Sequence, residues 1–403
     1  MTQRAPAPPV WFIAIAFASG VGGMTLISPV LPLVMADTGS SSTSVQMLLT
    51  AYLVALSVGQ LIYGTVSDWL GRRPVLLFGA LLYSLGGIVA VFAESIELLT
   101  LYRVIQGLGA AACLSMGRAI INDCFDRQNA ARSMATAQTI MAIVPILALT
   151  LGGLLAEWGG WRSTMSIIAI AGIVILVAAL LTLKETNLQR VNSISLSSLV
   201  SAYGNVLRRS VYRYYALANG MQVGMFFSML GFLPYQYERL DVSPSEFGLW
   251  FSLTPIFYIL GNIANRFYFI ERGIERAAML GCILTLISIL VMYFTQAIGM
   301  THPLAIALPC CLFGFSNGIV ISNTVVGAIH ATGHNAGTGT GLLGAWQMAI
   351  SGVMGSAIIG LGGAEDFLLA AGILIIMSVI SVTSIFNVYR QHKFQQSIAK
   401  TDY

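Results

Sequence analysis

The residue with the clearest chemical consequence is Arg103, inside the apolar stretch LTLYRVIQGLGAAACLSMGRAIIND, which runs from Leu99 to Asp123. A permanent cation at the centre of a bilayer costs about 2.5–3.5 kcal/mol even on a gentle insertion scale, and such residues commonly mark a transport pathway. The planar donor fork of arginine suits carboxylate and phosphate oxygens. We therefore expect Arg103 to face a central cavity and to bind substrate there. Two alternatives remain: it extends toward acidic residues at the outer end of its helix, or it bonds carbonyl groups of a kinked first helix.

The acidic residues indicate which substrates such a cavity would accept. We place seven on the cytoplasmic side (Asp68, Asp123, Asp126, Glu185, Glu271, Glu275 and Asp402) and nine on the outer side (Asp37, Glu94, Glu97, Glu157, Glu238, Asp241, Glu246, Glu365 and Asp366). None of these lies near the membrane midplane, so Arg103 has no expected ionised partner at its own depth. An exporter of lipophilic cations normally needs a buried carboxylate. The sequence therefore favours a neutral, zwitterionic or anionic substrate.

Other candidates for substrate binding are polar or aromatic residues within apolar segments. Asn219, Gln222 and Phe226 stand at i, i+3 and i+7 and so share one helical face. The remaining candidates are Thr25, Tyr52, Gln60, Asn317, Asn323, Trp346 and Gln347. Amides are unfavourable against lipid, so we expect them to face protein or water; hydrogen bonding between helices, worth about 0.6 kcal/mol each, is the alternative.

The elements that must position these residues are membrane spans. The 403-residue chain is 57% hydrophobic and only 9% charged, against about 25% charged in an average soluble domain. Continuous apolar runs of about 20 residues recur along it, long enough to cross a ~30 Å hydrocarbon core as helices. Twelve such runs are predicted, at 10–36, 45–67, 74–93, 98–121, 133–156, 163–183, 215–237, 246–268, 277–297, 304–330, 338–361 and 367–389. The prediction is an all-α membrane protein.

The twelve spans form two sets of six, separated by a basic, serine-rich stretch. We expect a first half at 1–183, a cytoplasmic linker at 184–214 and a second half at 215–403. With both termini inside, 15 of the 20 Lys and Arg residues fall in cytoplasmic segments, as the positive-inside rule requires. Two six-helix halves are typical of transporters that bind substrate between their repeats. The five cysteines show no C-x-x-C pair, so we expect neither a disulfide nor a metal site.

The loop GTVSDWLGRRP, from Gly64 to Pro74, resembles the signature loop of the major facilitator superfamily, G-x-x-[SA]-D-x-x-G-R-[RK]-P. In that family the aspartate contacts neighbouring helix ends and closes an inner gate. The resemblance therefore makes Asp68 and Arg72 gate candidates. It also implies the superfamily fold, alternating access between the halves and a monomer in the membrane.

The segment LTLYRVIQGLGAA resembles the fourth-helix motif of the same superfamily, with Arg103 followed by Gln106 and Gly107. The segments GRAIIND, AGTGTGLLGAWQ and LPYQYERLDVSPSEFGLWFSL resemble the Bcr/CflA-type drug:proton antiporters, a bacterial inner-membrane subfamily. Arg118 and Asp123, in the first of them, are further gate candidates. The subfamily commonly has an acidic residue in its first helix, where this chain has Thr25, so the usual proton carrier is missing.

Proton coupling then has three weaker candidates, Asp123, His330 and His334, because histidine titrates near physiological pH. The function predicted is a secondary active exporter with protons as the expected coupling ion. The alternatives are a multidrug exporter of cationic or lipophilic drugs, and an importer or facilitator of a small metabolite. The chain contains no H-E-x-x-H, G-x-S-x-G or phosphate-binding G-K-[ST] motif, which disfavours an enzyme or an ATP-driven pump. We expect no cofactor and no nucleic-acid partner.

Overall fold

The computed structural model describes residues 8–125, 127–188, 196–333 and 336–401. These residues are almost entirely helical and contain no β-strand. The α-helices are α1 (Val10–Thr25), α2 (Leu31–Thr38), α3 (Ser42–Leu70), α4 (Arg72–Val91), α5 (Ile96–Cys124), α6 (Arg127–Thr182), α7 (Leu196–Leu207), α8 (Ser210–Glu238), α9 (Pro244–Ala264), α10 (Ile274–Ala297), α11 (Leu304–Ala331), α12 (Ala336–Gly360) and α13 (Phe367–Thr401).

Within the described residues, eleven helical stretches are long and apolar enough to cross a membrane. The twelve predicted spans agree with them, because the stretch Thr139–Thr182 holds two helices. Gly159 and Gly160 leave helical geometry there, Gly160 with a φ of 68° that side-chain-bearing residues rarely adopt. The first span is also interrupted: a short 3₁₀ segment, Ser28–Val30, joins α1 to α2 next to two prolines.

The structure adds a helix that the sequence analysis missed. Helix α7 lies inside the predicted linker, and Val206 near its end is buried with Tyr212 and Tyr215 of α8. Burial also raises the pKa of the Tyr203 hydroxyl on the same helix. The serine-rich composition suggested a loop, but α7 is amphipathic and one of its faces packs on protein.

Contacts divide the chain into two compact units that are not contiguous in sequence. Unit 1 comprises Met1–Leu196 with Leu233–Ser252, and unit 2 comprises Ser197–Phe232 with Leu253–Tyr403. The segment Leu233–Ser252 belongs to unit 1 because the start of α9 packs on α6. A Cβ at Gly248 would lie 2.4 Å from the Leu149 carbonyl oxygen. The division into halves at 1–183 and 215–403 stays a prediction.

In unit 1, helix α5 is the central element and packs closely on both α3 and α4. A Cβ at Gly107 would lie 2.5 Å from the Tyr52 carbonyl oxygen, and one at Gly109 would lie 2.4 Å from the Tyr83 nitrogen. Small residues allow the backbones to approach this closely. As a result, the polar side chains of α5 are held at fixed positions against their neighbours.

Candidate functional site

Arg103 lies in a closed cage within unit 1. Its side chain is 0% exposed. Its Nε donates to the Leu48 carbonyl at 3.2 Å, and its Nη1 donates to the Gly23 carbonyl at 3.0 Å and to Gln106 Oε1. Its Cζ also lies 4.2 Å from the centroid of the Tyr52 ring. This geometry corresponds to the structural alternative, an arginine bonded to backbone carbonyls; substrate binding by Arg103 stays a prediction.

The first helix supplies the wall of this cage. The hydroxyls of Tyr52 and Tyr83 both bond its backbone, Tyr52 donating to the Gly20 carbonyl at 2.9 Å and Tyr83 to the Ser19 carbonyl at 3.2 Å. A Cβ at Gly23 would lie only 2.6 Å from the Tyr83 hydroxyl, so glycine is required for this approach. The cage is not saturated, because the buried Arg103 Nη2 and Gln106 Nε2 atoms have no hydrogen-bond partner among the described residues. Thr25 is 0% exposed, and its hydroxyl donates to the Val21 and Gly22 carbonyls of its own helix.

The predicted gate residues Asp68, Arg72 and Asp123 are brought together at the end of unit 1 that we expect to be cytoplasmic. Arg72 Nη1 lies 2.7 Å from Asp68 Oδ1, and Arg72 Nε lies 3.0 Å from Asp123 Oδ2. The guanidinium therefore joins the ends of α3 and α5. Charge-assisted bonds with two carboxylates are roughly twice as strong as neutral ones. We call Arg72, Asp68 and Asp123 the latch; their closing of an inner gate, which the resemblance implies, stays a prediction.

Two residues just after α6 complete this latch, and the sequence analysis did not single them out. Glu185 Oε1 accepts from the Arg72 backbone nitrogen at 2.8 Å, so its carboxylate caps the start of α4. Asn187 Nδ2 donates to the Asp68 carbonyl at 3.1 Å, at the end of α3. The signal available in the sequence was an acid and an amide directly after an apolar span, facing two exposed helix ends.

Arg118 is not part of the latch. Asp123 is paired with Arg72 and accepts from the Thr186 hydroxyl at 3.2 Å. The contact found for the Arg118 guanidinium is with the ring of Phe17, 5.5 Å from its centroid. A gate role for Arg118 and for Asp123 stays a prediction.

In unit 2, the predicted amides bond neighbouring helices. Asn219 donates to Thr324 Oγ1 at 2.8 Å and accepts from Gln347 Nε2. Gln222 donates to Ser381 Oγ at 3.2 Å and accepts from Thr285 at the same distance. These contacts correspond to the alternative left open for the amides, hydrogen bonding between helices.

Three other candidates in unit 2 differ in hydrogen bonding and in exposure. Asn317 Oδ1 is buried without a partner among the described residues. Trp346 is 40% exposed, and Phe226 is half-buried with an edge-on contact to Phe227, 5.4 Å between centroids. A free amide oxygen and accessible rings are compatible with a ligand, so these residues stay predictions.

The last two candidate amides lie in different units. Asn323, in unit 2, donates to Asn265 Oδ1 at 2.8 Å. In unit 1, both side-chain polar atoms of Gln60 are buried without a partner within the described ranges.

His330 lies at the end of unit 2 that we expect to be cytoplasmic. His330 lines a cavity of 390 Å³ that also contains Glu275, Tyr215 and His392. His392 Nδ1 lies 3.4 Å from Glu275 Oε1, which also accepts from the Tyr215 hydroxyl. His334 lies outside the described residues. Among those described, no group of three or more His, Cys, Asp or Glu side chains could hold a metal ion.

The apolar helices and the latch are typical of one class of protein, the polytopic helical membrane transporters. The chain belongs to the Major Facilitator Superfamily, whose sequence model matches residues 12–356. It is 28% identical to a chloramphenicol resistance protein of Pseudomonas aeruginosa over 84% of this chain and 80% of that protein. It is 24% identical to a bicyclomycin resistance protein homolog of Haemophilus influenzae over 89% of this chain and 91% of that one.

A solved structure supports the same fold. The bacterial homolog to the human lysosomal transporter Spinster superposes with a TM-score of 0.74 at 13% identity, covering 94% of this chain and 96% of that one. These findings confirm the resemblance to Bcr/CflA-type transporters and the helical fold. The protein is a multi-pass membrane transporter of small molecules and not an enzyme.

Proposed function

We propose that this transporter is an exporter of small uncharged, zwitterionic or anionic compounds, working by alternating access in a bacterial inner membrane. The observation that carries the proposal is the charge balance inside unit 1. Arg103 and Arg118 both lie within the span α5, while every acidic residue in the described part of the chain lies at a helix end or in a loop. Fixed positive charge within this span, with no carboxylate at the same depth among the described residues, disfavours a lipophilic cation and tolerates an uncharged or anionic compound.

The relatives are consistent with this substrate class. One matched relative is named for resistance to chloramphenicol, and another for resistance to bicyclomycin. Chloramphenicol carries no net charge. We extend the same direction of transport, out of the cell, to this chain, with both termini cytoplasmic and the protein acting as a monomer.

Protons are the proposed coupling ion. Asp123 is held by Arg72 and Thr186, so its protonation would loosen the latch and link proton binding to opening. His330 is exposed at the cavity near Glu275 and is the second candidate. Both lie away from the membrane midplane, where the subfamily commonly places an acid and this chain has Thr25.

The test is transport by the purified protein in proteoliposomes. The three probes are chloramphenicol, its anionic succinate ester and the cation ethidium, each measured with and without a pH gradient. We expect the first two to move in the export direction, faster with the gradient, and ethidium to move no faster than in protein-free vesicles. Export of ethidium alone would refute the proposal, and downhill movement unaffected by the gradient would favour the facilitator alternative.

A further inference from the structure

The inner half of α5 carries one accessible face. In the segment Ala110–Asn122 most residues are buried; Asn122 is exposed, and Ser115, Arg118 and Ala119 are half-buried. Their spacing of i, i+3, i+4 and i+7 places all four on one side of the helix. We call these residues the α5 strip. The strip carries the hydroxyl of Ser115, the guanidinium of Arg118 and the amide of Asn122, and Ala119 is its one small residue.

This strip does not have the composition of a lipid-facing surface. Helix α4 shows what such a surface looks like, with Phe78, Leu81, Leu85 and Ile88 exposed along one side. On α5, the large hydrophobic side chains that are exposed end at Leu101, well before the strip begins. An arginine facing hydrocarbon at this depth would be strongly disfavoured. The strip therefore faces a surface of unit 1 that water can reach.

The cation in the strip lacks an anionic partner. Among the described residues, Arg118 has neither an ion pair nor a hydrogen bond, and its contact is the Phe17 ring. A Cβ at Gly117 would lie 2.8 Å from Phe17 Cδ2, so α1 and α5 are in close contact beside the guanidinium. Arg118 lies six residues before the helix end at Cys124, about 9 Å along the axis.

The contrast with Arg103 indicates what the strip is for. Arg103 is enclosed and uses its donors on two carbonyls and a glutamine, whereas Arg118 is half-buried and its donors have no hydrogen-bond partner among the described residues. An aromatic ring supports one face of the guanidinium and leaves its edges available. The edges of a guanidinium pair with two oxygens of one carboxylate or phosphate group. Ser115 and Asn122, one turn to either side, add donors to such an oxyanion.

We propose that the α5 strip is a binding site for the oxyanion of a transported small molecule, a carboxylate or a phosphate ester, with Arg118 as its principal contact. The inference rests on the exporter assignment for the identity of the molecule, and it gives Arg118 a role in substrate binding in place of the gate role expected from the sequence. The site discriminates by charge: it binds an acidic compound more tightly than its uncharged parent.

The experiment compares equilibrium binding of chloramphenicol succinate and chloramphenicol to the detergent-purified protein. The variants are Arg118→Gln, Arg118→Lys and the control Arg266→Gln. Arg266 is an exposed arginine in the short π-helix Asn265–Phe269 that follows α9, and it has a similar ring contact, with Phe267, at 5.7 Å. We expect Arg118→Gln to weaken binding of the succinate ester at least tenfold and to change binding of the parent less than twofold. Arg118→Lys should lose less, and Arg266→Gln should leave both unchanged.

Equal weakening of both probes by Arg118→Gln would overturn the site, as would wild-type protein that binds the ester no more tightly than the parent. Chemical modification provides an independent measurement that does not depend on folding of a variant. The water-soluble reagent p-hydroxyphenylglyoxal should modify Arg118 in the wild-type protein, and chloramphenicol succinate should protect it. Failure to modify Arg118 while the exposed Arg266 reacts would also overturn the site.

The outcomes separate this site from the proposed function. Charge-selective binding that depends on Arg118, with no transport of either compound in proteoliposomes, would support the site and refute the exporter assignment. Export of both compounds with the same ratio of KM values in wild type and Arg118→Gln would support the exporter and overturn the site.

Discussion

Replacing Arg103 by methionine separates a structural arginine from one that binds substrate. Methionine keeps much of the side-chain length and removes every donor, so the Gly23 and Leu48 carbonyls and Gln106 Oε1 each lose a hydrogen bond. Bonds between helices in a membrane are worth about 0.6 kcal/mol on average and at most about 1.7 kcal/mol, so three of them amount to about 2–5 kcal/mol. The contact with the Tyr52 ring contributes about 0.5–2 kcal/mol more. Relief from burying a charge offsets part of this sum.

We therefore expect Arg103→Met to lower the free energy of unfolding by about 2–5 kcal/mol, measured by SDS titration in mixed micelles. Arg103→Lys keeps the charge but lacks the planar fork, so it should recover part of the loss. The exposed Arg266, changed to methionine, is the control and should change the unfolding free energy by less than about 0.5 kcal/mol.

Transport measured on the same variants decides between the two roles. If the cage is structural, Arg103→Met should lose transport in proportion to the loss of folded protein, with the KM for chloramphenicol unchanged. A variant that unfolds like the wild type while its KM rises tenfold would refute this reasoning. That result would establish Arg103 as the substrate-binding residue expected from the sequence.

Three further predictions concern substitutions of single residues. Glu185→Gln weakens the cap on α4, because its carboxylate accepts from the Arg72 backbone nitrogen; we expect about 1 kcal/mol lower stability in the SDS titration, and unchanged stability would contradict the cap. Gly107→Ala should reduce stability by about 1–3 kcal/mol, because its Cβ meets the Tyr52 carbonyl oxygen at 2.5 Å, whereas Gly64→Ala, with open space around it, should be neutral or slightly stabilising. Asn219→Leu removes hydrogen bonds to two neighbouring helices, and we expect a loss of about 1–3 kcal/mol; a loss of transport at unchanged stability would instead indicate substrate contact.

The spans and the latch could be predicted because they depend on strong, local signals. Continuous apolar runs and charged turns identify helices and their ends without reference to any partner, and the structure agrees with the predicted spans to within a few residues apart from the long α13. The signature loop brings Asp68 close to Arg72 through i,i+4 spacing alone. Helix α7 was missed because its stability comes from one packed face, and serine-rich composition does not report that face.

The sites depend on which face of each helix is buried, and the sequence of one helix does not determine that. Arg103 and Arg118 lie 15 residues apart on α5, and we predicted substrate binding for the one nearer the outer end. In the structure Arg103 is enclosed by carbonyls of α1 and α3, whereas the face with Arg118 is accessible. The difference arises from residues on other helices, chiefly Gly23 and Tyr52 around the first arginine and Phe17 beside the second.

The same dependence on partners explains why a buried arginine without a carboxylate is tolerable. Helical carbonyls that already accept one backbone bond have a second lone pair, and two of them with an amide oxygen replace much of the hydration of Arg103. A full positive charge remains, however, because carbonyl dipoles stabilise a cation without neutralising it. Arg118 adds a second positive charge to the same helix, and Asp123, the described acid nearest to it along the chain, is paired with Arg72. An acidic substrate at the α5 strip would bring a negative charge to these two cations, so the electrostatics of α5 and the expected substrate class have one common cause.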